Sequence, residues 1–274
     1  MMNNALINHT LAFLMKEPTW DSSLEDEDFY GRKVEILSCE KHEWYKVRTH
    51  YNYTGFVHVS QLLFDEEKIN TWENIDKKLV QQPYADVLSM PKVQGHHLAS
   101  LTKGALVGIL KPANEDGWVK VLLFDGSCGY MKEKFLGDYI TSYSLEMEEK
   151  LRQDIVNTAL TYMGTQYRWG GKSPLGIDCS GLCSVAYMLN GVIIYRDAAI
   201  AEGFPIHEIT IETMRPADLL FFPGHVAMYI GENRYVHSTG KNGSDGVVIN
   251  SLNPGDKDYR EDLHCKLKVV GSLF

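Results

Sequence analysis

The sequence contains few cysteines and no long apolar run. Its 274 residues include five cysteines, an odd number scattered along the chain: Cys39, Cys128, Cys179, Cys183 and Cys265. Such a set does not form a disulfide framework and fits a reducing compartment. No segment approaches the roughly 20 apolar residues of a membrane-spanning helix, and the first ten residues lack the basic and apolar regions of a signal peptide. We therefore expect a cytoplasmic protein with no membrane partner.

Positive charge is also in deficit. The chain has 27 Lys and Arg residues against 36 Asp and Glu residues, which gives a formal net charge of −9. This charge argues against nucleic acid or an anionic membrane as the main partner, whereas a peptide with a free amine would not be repelled. The length exceeds that of a usual single core, so we expect two or three domains.

The most informative stretch surrounds Cys179. Asp178 is a good helix N-cap, and Gly191 is a typical residue for a helix end. A thiol in the first helical turn lies beside unpaired backbone amides, which predicts a lowered pKa and a reactive thiolate. The same amides could later bind an oxyanion. The helix itself is predicted by apolar residues that recur at helical spacing, at Leu182, Val185, Ala186 and Leu189.

Two histidines lie downstream in a predicted β-hairpin. Apolar and other residues alternate over 225–230, Glu232 and Asn233 have turn chemistry, and 234–238 is typical of a returning strand. His225 and His237 are equidistant from Gly231, so a hairpin centred there makes them cross-strand neighbours. A lone cysteine is more often structural. A cysteine with a base and an orienting group favours nucleophilic catalysis through a thiolate–imidazolium pair.

Zinc binding is the main alternative chemistry for these residues. Cys179, Cys183, His225 and His237 make a possible two-Cys, two-His set. Neither cysteine belongs to the Cys-x-x-Cys pattern of structural zinc sites, however. Cys183 also lies on the apolar flank of the predicted helix, where a small side chain suits packing. We therefore expect no metal and no cofactor.

The first half of the chain contains an internal repeat with an offset of 73 or 74 residues. Each copy consists of short alternating strands separated by turns, which is the pattern of a small β-barrel. The polar stretch between the copies indicates a linker or a short surface helix, and a new helix begins near Leu145. The matching pairs are 31–37 with 104–110, 44–47 with 118–121, and 55–57 with 129–131. The predicted α+β organisation is a first barrel at 1–66, a linker at 67–82, a second barrel at 83–142 and a catalytic domain at 143–274.

Five segments of the second half resemble the NlpC family of bacterial cell-wall cysteine peptidases, which have a papain-like fold. The segments are 167–171 (YRWGG), 178–181 (DCSG), 216–219 (PADL), 224–231 (GHVAMYIG) and 235–238 (YVHS). The resemblance implies a role for each of six residues: Cys179 as nucleophile, His225 as base, His237 as orienter, Tyr167 as a hydroxyl donor to the site, and Asp178 and Ser180 as substrate-binding groups.

The duplicated barrels resemble bacterial SH3-like domains, which precede the peptidase domain in one subgroup of this family. That subgroup cuts murein-derived peptides between γ-D-glutamate and the diamino acid when the peptide begins with a free L-alanine. The resemblance implies that Arg196 and Asp197 line the cleft, with a surface ion pair or a turn as the alternative. It further implies that Glu17 and Tyr53 bind the free amine from the first SH3-like domain.

Two other functions remain open at this point. The chain could be a wall-peptide-binding protein in which SH3-like repeats accompany a degenerate peptidase domain, although the intact Cys179, His225 and His237 argue against degeneracy. Thioester chemistry also permits a murein amidase, transpeptidase or acyltransferase that uses an acceptor other than water.

Overall fold

The structure is a computed structural model that describes residues 3–274. The chain divides into two compact units, one that ends at Tyr139 and one that begins at Ile140. Both consist mainly of antiparallel strands with few helices, so the α+β class is confirmed. No helix within residues 3–274 is long and apolar enough to cross a membrane.

The first unit contains two seven-stranded sheets with the same strand order. The first sheet has the order β3-β2-β6-β5-β4-β1-β7 and consists of β1 (Asn4–Ile7), β2 (Leu11–Met15), β3 (Leu24–Phe29), β4 (Lys33–Cys39), β5 (Trp44–Thr49), β6 (Thr54–His58) and β7 (Leu62–Leu63). The second has the order β10-β9-β13-β12-β11-β8-β14 and consists of β8 (Lys77–Val80), β9 (Ala85–Leu88), β10 (His97–Leu101), β11 (Leu106–Lys111), β12 (Trp118–Leu122), β13 (Cys128–Lys132) and β14 (Leu136–Asp138). Adding seven to each label of the first order gives the second, which confirms the internal repeat.

The predicted linker 67–82 is wrong in extent, because it contains most of a helix and a whole strand. Helix α1 (Glu66–Glu73) is capped by Asp65, and β8 pairs with β11 inside the second sheet. The helix is short but not simply solvated, since Ile69 and Trp72 are buried. These two apolar residues, three apart, form a single stripe that the polar composition of the segment conceals.

Trp72 anchors α1 to the first repeat. Its indole Nε1 donates to the carbonyl of Gly31 at 2.8 Å. Gly31 has a φ of +77°, and a Cβ atom there would lie 2.6 Å from the Trp72 ring. Only glycine fits this close approach without strain. The preceding Tyr30 belongs to the core of the second sheet, where it packs with residues such as Val107 and Val121.

The second unit is built around one six-stranded antiparallel sheet. Its elements are α2 (Glu148–Leu160), β15 (Lys172–Ser173), β16 (Gly176–Ile177), α3 (Cys179–Met188), β17 (His207–Ile209), β18 (Leu219–Phe222), β19 (His225–Gly231), β20 (Arg234–Thr239), β21 (Gly246–Ser251), α4 (Glu261–His264) and β22 (Val269–Ser272). The sheet has the order β17-β22-β18-β19-β20-β21, and α3 contacts α2, β19 and β20. The predicted helices at 145 and 179 are confirmed as α2, which a single turn at Leu145–Met147 precedes, and α3.

A buried ion pair joins α2 to the sheet. Arg152 Nη1 donates to Asp218 Oδ1 at 2.9 Å, and the Ser272 hydroxyl donates to the same oxygen at 2.6 Å. The guanidinium also stacks on the Phe274 ring, with 3.9 Å from Cζ to the centroid. Because neither charge reaches solvent, the pair fixes the end of the chain and β18 against α2.

Candidate active site

Helix α3 begins at Cys179, and the preceding Asp178 caps it. Asp178 Oδ1 accepts the backbone N–H of Gly181 at 2.6 Å, which confirms the predicted N-cap. Its Oδ2 accepts the backbone N–H of Gly170 at 2.9 Å. The cap therefore ties the start of α3 to the loop that carries Tyr167, and it leaves Cys179 in the first helical turn.

Arg196 adds a buried cation to this hydrogen-bond network. Its Nη1 and Nη2 donate to the two carboxylate oxygens of Asp178, both at 3.1 Å, and Nη1 also donates to Ser180 Oγ at 2.8 Å. Only 1% of the Arg196 side chain is exposed. Arg196 is thus neither a surface ion-pair residue nor a group that lines an open cleft. Both Asp178 oxygens accept hydrogen bonds within the protein, so Asp178 orients the start of α3, and its predicted contact with substrate stays a prediction.

The Cys179 thiol is buried, and this overturns the prediction of a lowered pKa. Burial and the neighbouring Asp178 carboxylate raise the pKa of Cys179 to about 11, although backbone N–H groups of Val226 and Ser180 and the Arg196 charge act in the opposite direction. The helix N-terminus does not prevail because Asp178 already takes one of its free amides and adds a negative charge beside the sulfur.

The two histidines are in direct contact. His225 Nε2 lies 2.7 Å from His237 Nδ1, and the rings meet edge to face with 5.0 Å between their centroids. The predicted pairing register is nevertheless wrong by two residues. The observed ladder pairs Met228 with Val236, because a tight turn at Glu232 and Asn233, both with positive φ, closes the hairpin. The imidazoles are therefore diagonal rather than directly opposite neighbours, and their reach still joins them.

Asn250 on β21 extends the chain of hydrogen bonds, although no motif or spacing in the sequence marks it. His237 Nε2 lies 2.8 Å from Asn250 Oδ1, while Asn250 Nδ2 donates to the carbonyl of Asp258 at 2.6 Å. Because the Asn250 amide is oriented by that carbonyl, its oxygen must accept the proton of His237 Nε2. A single polar residue in an alternating strand is indistinguishable from a solvent-facing one until the sheet order is known.

The hydrogen bonds that join His225, His237 and Asn250 determine the tautomers of both histidines. Neutral His237 carries its proton on Nε2, so its Nδ1 accepts a hydrogen bond from His225 Nε2–H. The lone pair of neutral His225 is then on Nδ1. The orientation assigns the basic atom of the site to His225 Nδ1 and leaves His237 without a free ring nitrogen for a metal.

Both imidazoles are neutral at physiological pH. Burial, the His237 ring and the Arg260 charge lower the pKa of His225 to about 3, and burial is the main reason that the pKa of His237 falls to about 4. Burial thus favours the uncharged thiol and the uncharged imidazole in the ligand-free site. The resting thiolate–imidazolium pair expected from the sequence stays a prediction.

Tyr167 is within electrostatic reach of Cys179, and Asp197 shares a recess with Ser180, the residue after Cys179. Burial, with the nearby Cys179 and Asp178, raises the pKa of Tyr167 to about 12, so its hydroxyl remains a hydrogen-bond donor. Asp197 lines a narrow, largely apolar recess together with Ser180 and Val226. The backbone N–H groups of Ser180 and Val226 also donate towards the Cys179 sulfur. Because the Val226 amide lies beside the Cys179 sulfur, the start of β19 at His225 is next to the thiol.

Glu17 and Tyr53 lie in the first unit. Glu17 is exposed in the β2–β3 loop, where its backbone N–H donates to Ser22 Oγ at 2.9 Å. Tyr53 is half-buried and packs against the core of the first sheet, beside the turn at Asn52. Their predicted role in reading the substrate amine remains a prediction.

The family comparison agrees with this geometry. A family model described as the NlpC/P60 family matches residues 164–260, a range that contains Cys179, His225 and His237. The chain is 45% identical over 273 residues to a protein of Lysinibacillus sphaericus named Dipeptidyl-peptidase 6, with 99% of this chain and 100% of that protein covered.

Two further relatives extend the comparison. A Bacillus subtilis protein named Gamma-D-glutamyl-L-lysine dipeptidyl-peptidase is 27% identical over 243 residues, which cover 81% of this chain and 75% of that one. A crystal structure of an NlpC/P60 family protein from Bacillus cereus superposes with a TM-score of 0.77 at 23% identity, covering 97% of this chain and 98% of the other. At that identity the superposition shows a shared fold.

Proposed function

The chain belongs to the NlpC/P60 family, and from this premise we propose that it is a cysteine peptidase of murein peptides. Its reaction is hydrolysis of the bond between γ-D-glutamate and the diamino acid in peptides that begin with a free L-alanine. The observation that carries the proposal is the full-length similarity to a protein named Dipeptidyl-peptidase 6, since it includes the region before the peptidase domain as well as the domain itself.

Cys179 is the nucleophile in this proposal, and His225 is its base. As the thiol attacks the γ-glutamyl carbonyl, its proton moves to His225 Nδ1, so that the thiolate and the imidazolium form together rather than in the resting enzyme. His237 accepts the hydrogen bond of His225 Nε2–H in both charge states, and this keeps the ring in one orientation.

The developing oxyanion needs nearby donors. Amides at the start of α3 and the protonated Tyr167 hydroxyl are the available groups. His225 then gives its proton to the leaving amine, and the thioester forms with loss of the diamino acid. Water attacks the thioester with His225 as base, which releases L-Ala-γ-D-Glu and restores the thiol.

The two repeats of the first unit are SH3-like domains in this proposal, and the first of them reads the substrate amine. A buried ammonium needs a carboxylate and often an aromatic face, and Glu17 and Tyr53 match the positions that supply them in the family. The peptide arises in the cytoplasm, during recycling of cell-wall fragments. All five cysteines are free, which fits a reducing compartment.

The test is hydrolysis of L-Ala-γ-D-Glu-L-Lys and of the corresponding diaminopimelate peptide, followed by mass spectrometry. We expect L-Ala-γ-D-Glu and the free diamino acid as the products. Absence of cleavage, or cleavage at the L-Ala bond, would contradict the proposal. The assay also separates hydrolysis from transfer, because a transferase would leave the dipeptide joined to an added amine.

N-acetylated peptide tests the amine-reading role of the first repeat. Loss of a buried charge pair costs on the order of 3–5 kcal/mol, so acetylation should lower kcat/KM by about a hundredfold or more. Glu17→Ala should reduce the difference between free and blocked peptides. Glu25→Ala is the matched control, because Glu25 is a carboxylate of the same unit that bonds Ser23. Equal cleavage of the two peptides by the wild-type enzyme would contradict this role.

A further inference from the structure

A second arginine, Arg260, lies on the histidine side of the candidate site. The loop after β21 is attached to the histidine chain at Asp258, whose carbonyl accepts the Asn250 amide at 2.6 Å. Tyr259 forms a parallel bridge with Ser251, the last residue of β21. Arg260 follows directly. The hydrogen bonds that orient His237 therefore also fix the backbone from which the Arg260 side chain extends.

The Arg260 guanidinium has an unused donor. Its Nε and Nη2 donate to the two carboxylate oxygens of Asp262, each at 2.7 Å. Its Nη1 is buried and has no hydrogen-bond partner among the described residues. Only 11% of the side chain is exposed. Buried polar groups in native proteins are nearly always paired, so an unpaired arginine donor beside a catalytic base indicates a ligand.

The charge around Arg260 has the sign that suits an anion. Lys241 Nζ lies 3.4 Å from Asp262 Oδ1, so two cations share one carboxylate and the group carries a net positive charge. The hydrogen bonds from Arg260 hold the pKa of Asp262 well below its usual range, which keeps that carboxylate ionised. After burial and the His237 ring, the Arg260 charge is the next cause of the lowered His225 pKa, so the guanidinium is within electrostatic reach of the base.

We propose that Arg260 Nη1 binds the α-carboxylate of the leaving diamino acid, an inference that rests on the function proposed above. His225 gives its proton to the leaving nitrogen, so the leaving residue lies on the His225 side of Cys179. The α-carboxylate is attached to the same carbon as that nitrogen and is thus near His225. A planar guanidinium is the protein group best suited to a carboxylate. The subsite predicts a preference for peptides that end at the diamino acid.

The test compares L-Ala-γ-D-Glu-L-Lys with its C-terminal carboxamide. Truncating one partner of a buried, hydrogen-bonded charge pair is costly, so the wild-type enzyme should cleave the carboxamide about 30-fold less efficiently, mainly through KM. Arg260→Met should lower the cleavage efficiency of the free acid to nearly that of the carboxamide. The same variant should change the cleavage efficiency of the carboxamide by less than about twofold. Arg260→Lys keeps the charge without the planar fork and should give an intermediate ratio.

Arg234→Gln is the matched control. Arg234 also pairs with an aspartate of this loop, since its Nη2 lies 2.5 Å from Asp258 Oδ2. Unlike Arg260, this pair is partly exposed, with 35% of the Asp258 side chain open to solvent. This variant should keep the wild-type ratio of the two peptides. Equal cleavage of acid and carboxamide by the wild-type enzyme, or an equal loss for both in Arg260→Met and Arg260→Lys, would overturn the subsite. If only the second carboxylate of diaminopimelate, and not the α-carboxylate, improved cleavage, the assignment to the α-carboxylate would be overturned.

Binding measurements separate this inference from the function itself. Calorimetric titration of the Cys179→Ala protein with both peptides gives a ratio of Kd values that does not depend on bond cleavage. Tighter binding of the free acid, lost in the Cys179→Ala, Arg260→Met double variant, supports the subsite even if the wild-type protein cut neither peptide. Equal Kd values for the two peptides would overturn it, whatever the outcome of the cleavage assay.

Discussion

The two sides of the candidate site are oriented by different kinds of polar network. On the nucleophile side, Asp178 and Arg196 form a buried ion pair under Cys179. On the histidine side, His225, His237 and Asn250 form a chain of neutral groups that ends at a backbone carbonyl. A buried ion pair is vulnerable to loss of one partner, since the other charge then remains unpaired. A neutral chain loses one hydrogen bond at a time. Single substitutions should therefore harm the nucleophile side more.

Cys179→Ala should have the largest effect, because it removes the proposed nucleophile. We expect kcat/KM to fall by at least about ten-thousandfold, with an unchanged circular dichroism spectrum. Chelators should not change the activity of the wild-type enzyme. Stoichiometric zinc in the purified protein, with activity lost on chelation, would instead assign Cys179 and the histidines to a metal site.

The second-largest expected effect is the change with pH in the rate at which Cys179 is alkylated. With a thiol pKa of about 11, the thiolate fraction rises about tenfold for each pH unit below that value. The rate of reaction with iodoacetamide should thus increase by about a thousandfold between pH 7 and pH 10, once the value for the Cys179→Ala variant is subtracted. A rate that is already constant from pH 5 to pH 8 would show a resting thiolate–imidazolium pair.

Arg196→Met tests the ion pair on the nucleophile side. It leaves the Asp178 carboxylate buried without its cation, so the free energy of unfolding should fall by about 3–5 kcal/mol in urea titrations. Arg215→Met is the control, because Arg215 pairs with Glu148 and Glu149 at a side chain that is 44% exposed. That loss should stay below about 1 kcal/mol. Similar losses for the two variants would contradict a special role for the buried pair.

His237→Ala tests the neutral chain. Without the orienter, His225 can still sample its productive rotamer, so we expect kcat to fall by about 10- to 100-fold and by less than in His225→Ala. Asn250→Leu should have a smaller effect in the same direction, since it removes only the group that orients His237. Equal losses for His225→Ala and His237→Ala, or a harmless His237→Ala, would contradict the assigned roles.

Cys183→Ser should have the smallest effect. Cys183 is buried one helical turn after Cys179 and lines the recess that contains Asp197. A hydroxyl in that position costs some stability, about 1–3 kcal/mol by mutational scales, but kcat should remain within about threefold of the wild-type value. A loss comparable to that of Cys179→Ala would mean that the two cysteines act together.

Local patterns predicted the elements of the site better than its long-range contacts. The cap at Asp178, the helix from Cys179 and the strand of His225 follow from spacing and side-chain chemistry over a few residues. The contact between His225 and His237 was predicted as well. Its register was wrong, because the prediction centred the hairpin on Gly231, whereas Gly231 pairs with Arg234 across the turn and the register shifts between Tyr229 and Gly231.

Tertiary burial accounts for what the sequence could not indicate. Arg196 is 18 residues from Asp178 in the chain, so nothing local shows that the two side chains form a pair. The raised pKa of Cys179 arises from the protein packed around the sulfur, an environment that several distant elements create. Asn250 reaches His237 only because β21 lies beside β20 in the sheet. Each of these findings depends on which elements are neighbours in the sheet and its covering helices.

The contact between Trp72 and Gly31 determines where the chain can be cut. Tyr30, contributed by the first repeat, fills part of the core of the second, and the indole of Trp72 closes on the adjacent Gly31. A fragment that ended at residue 66 would expose the Tyr30 ring, and the complementary fragment would carry a gap in its core. The two repeats therefore cannot be exchanged independently of each other. A hybrid between relatives should keep residues 30, 31 and 72 from one parent and be joined between 139 and 140.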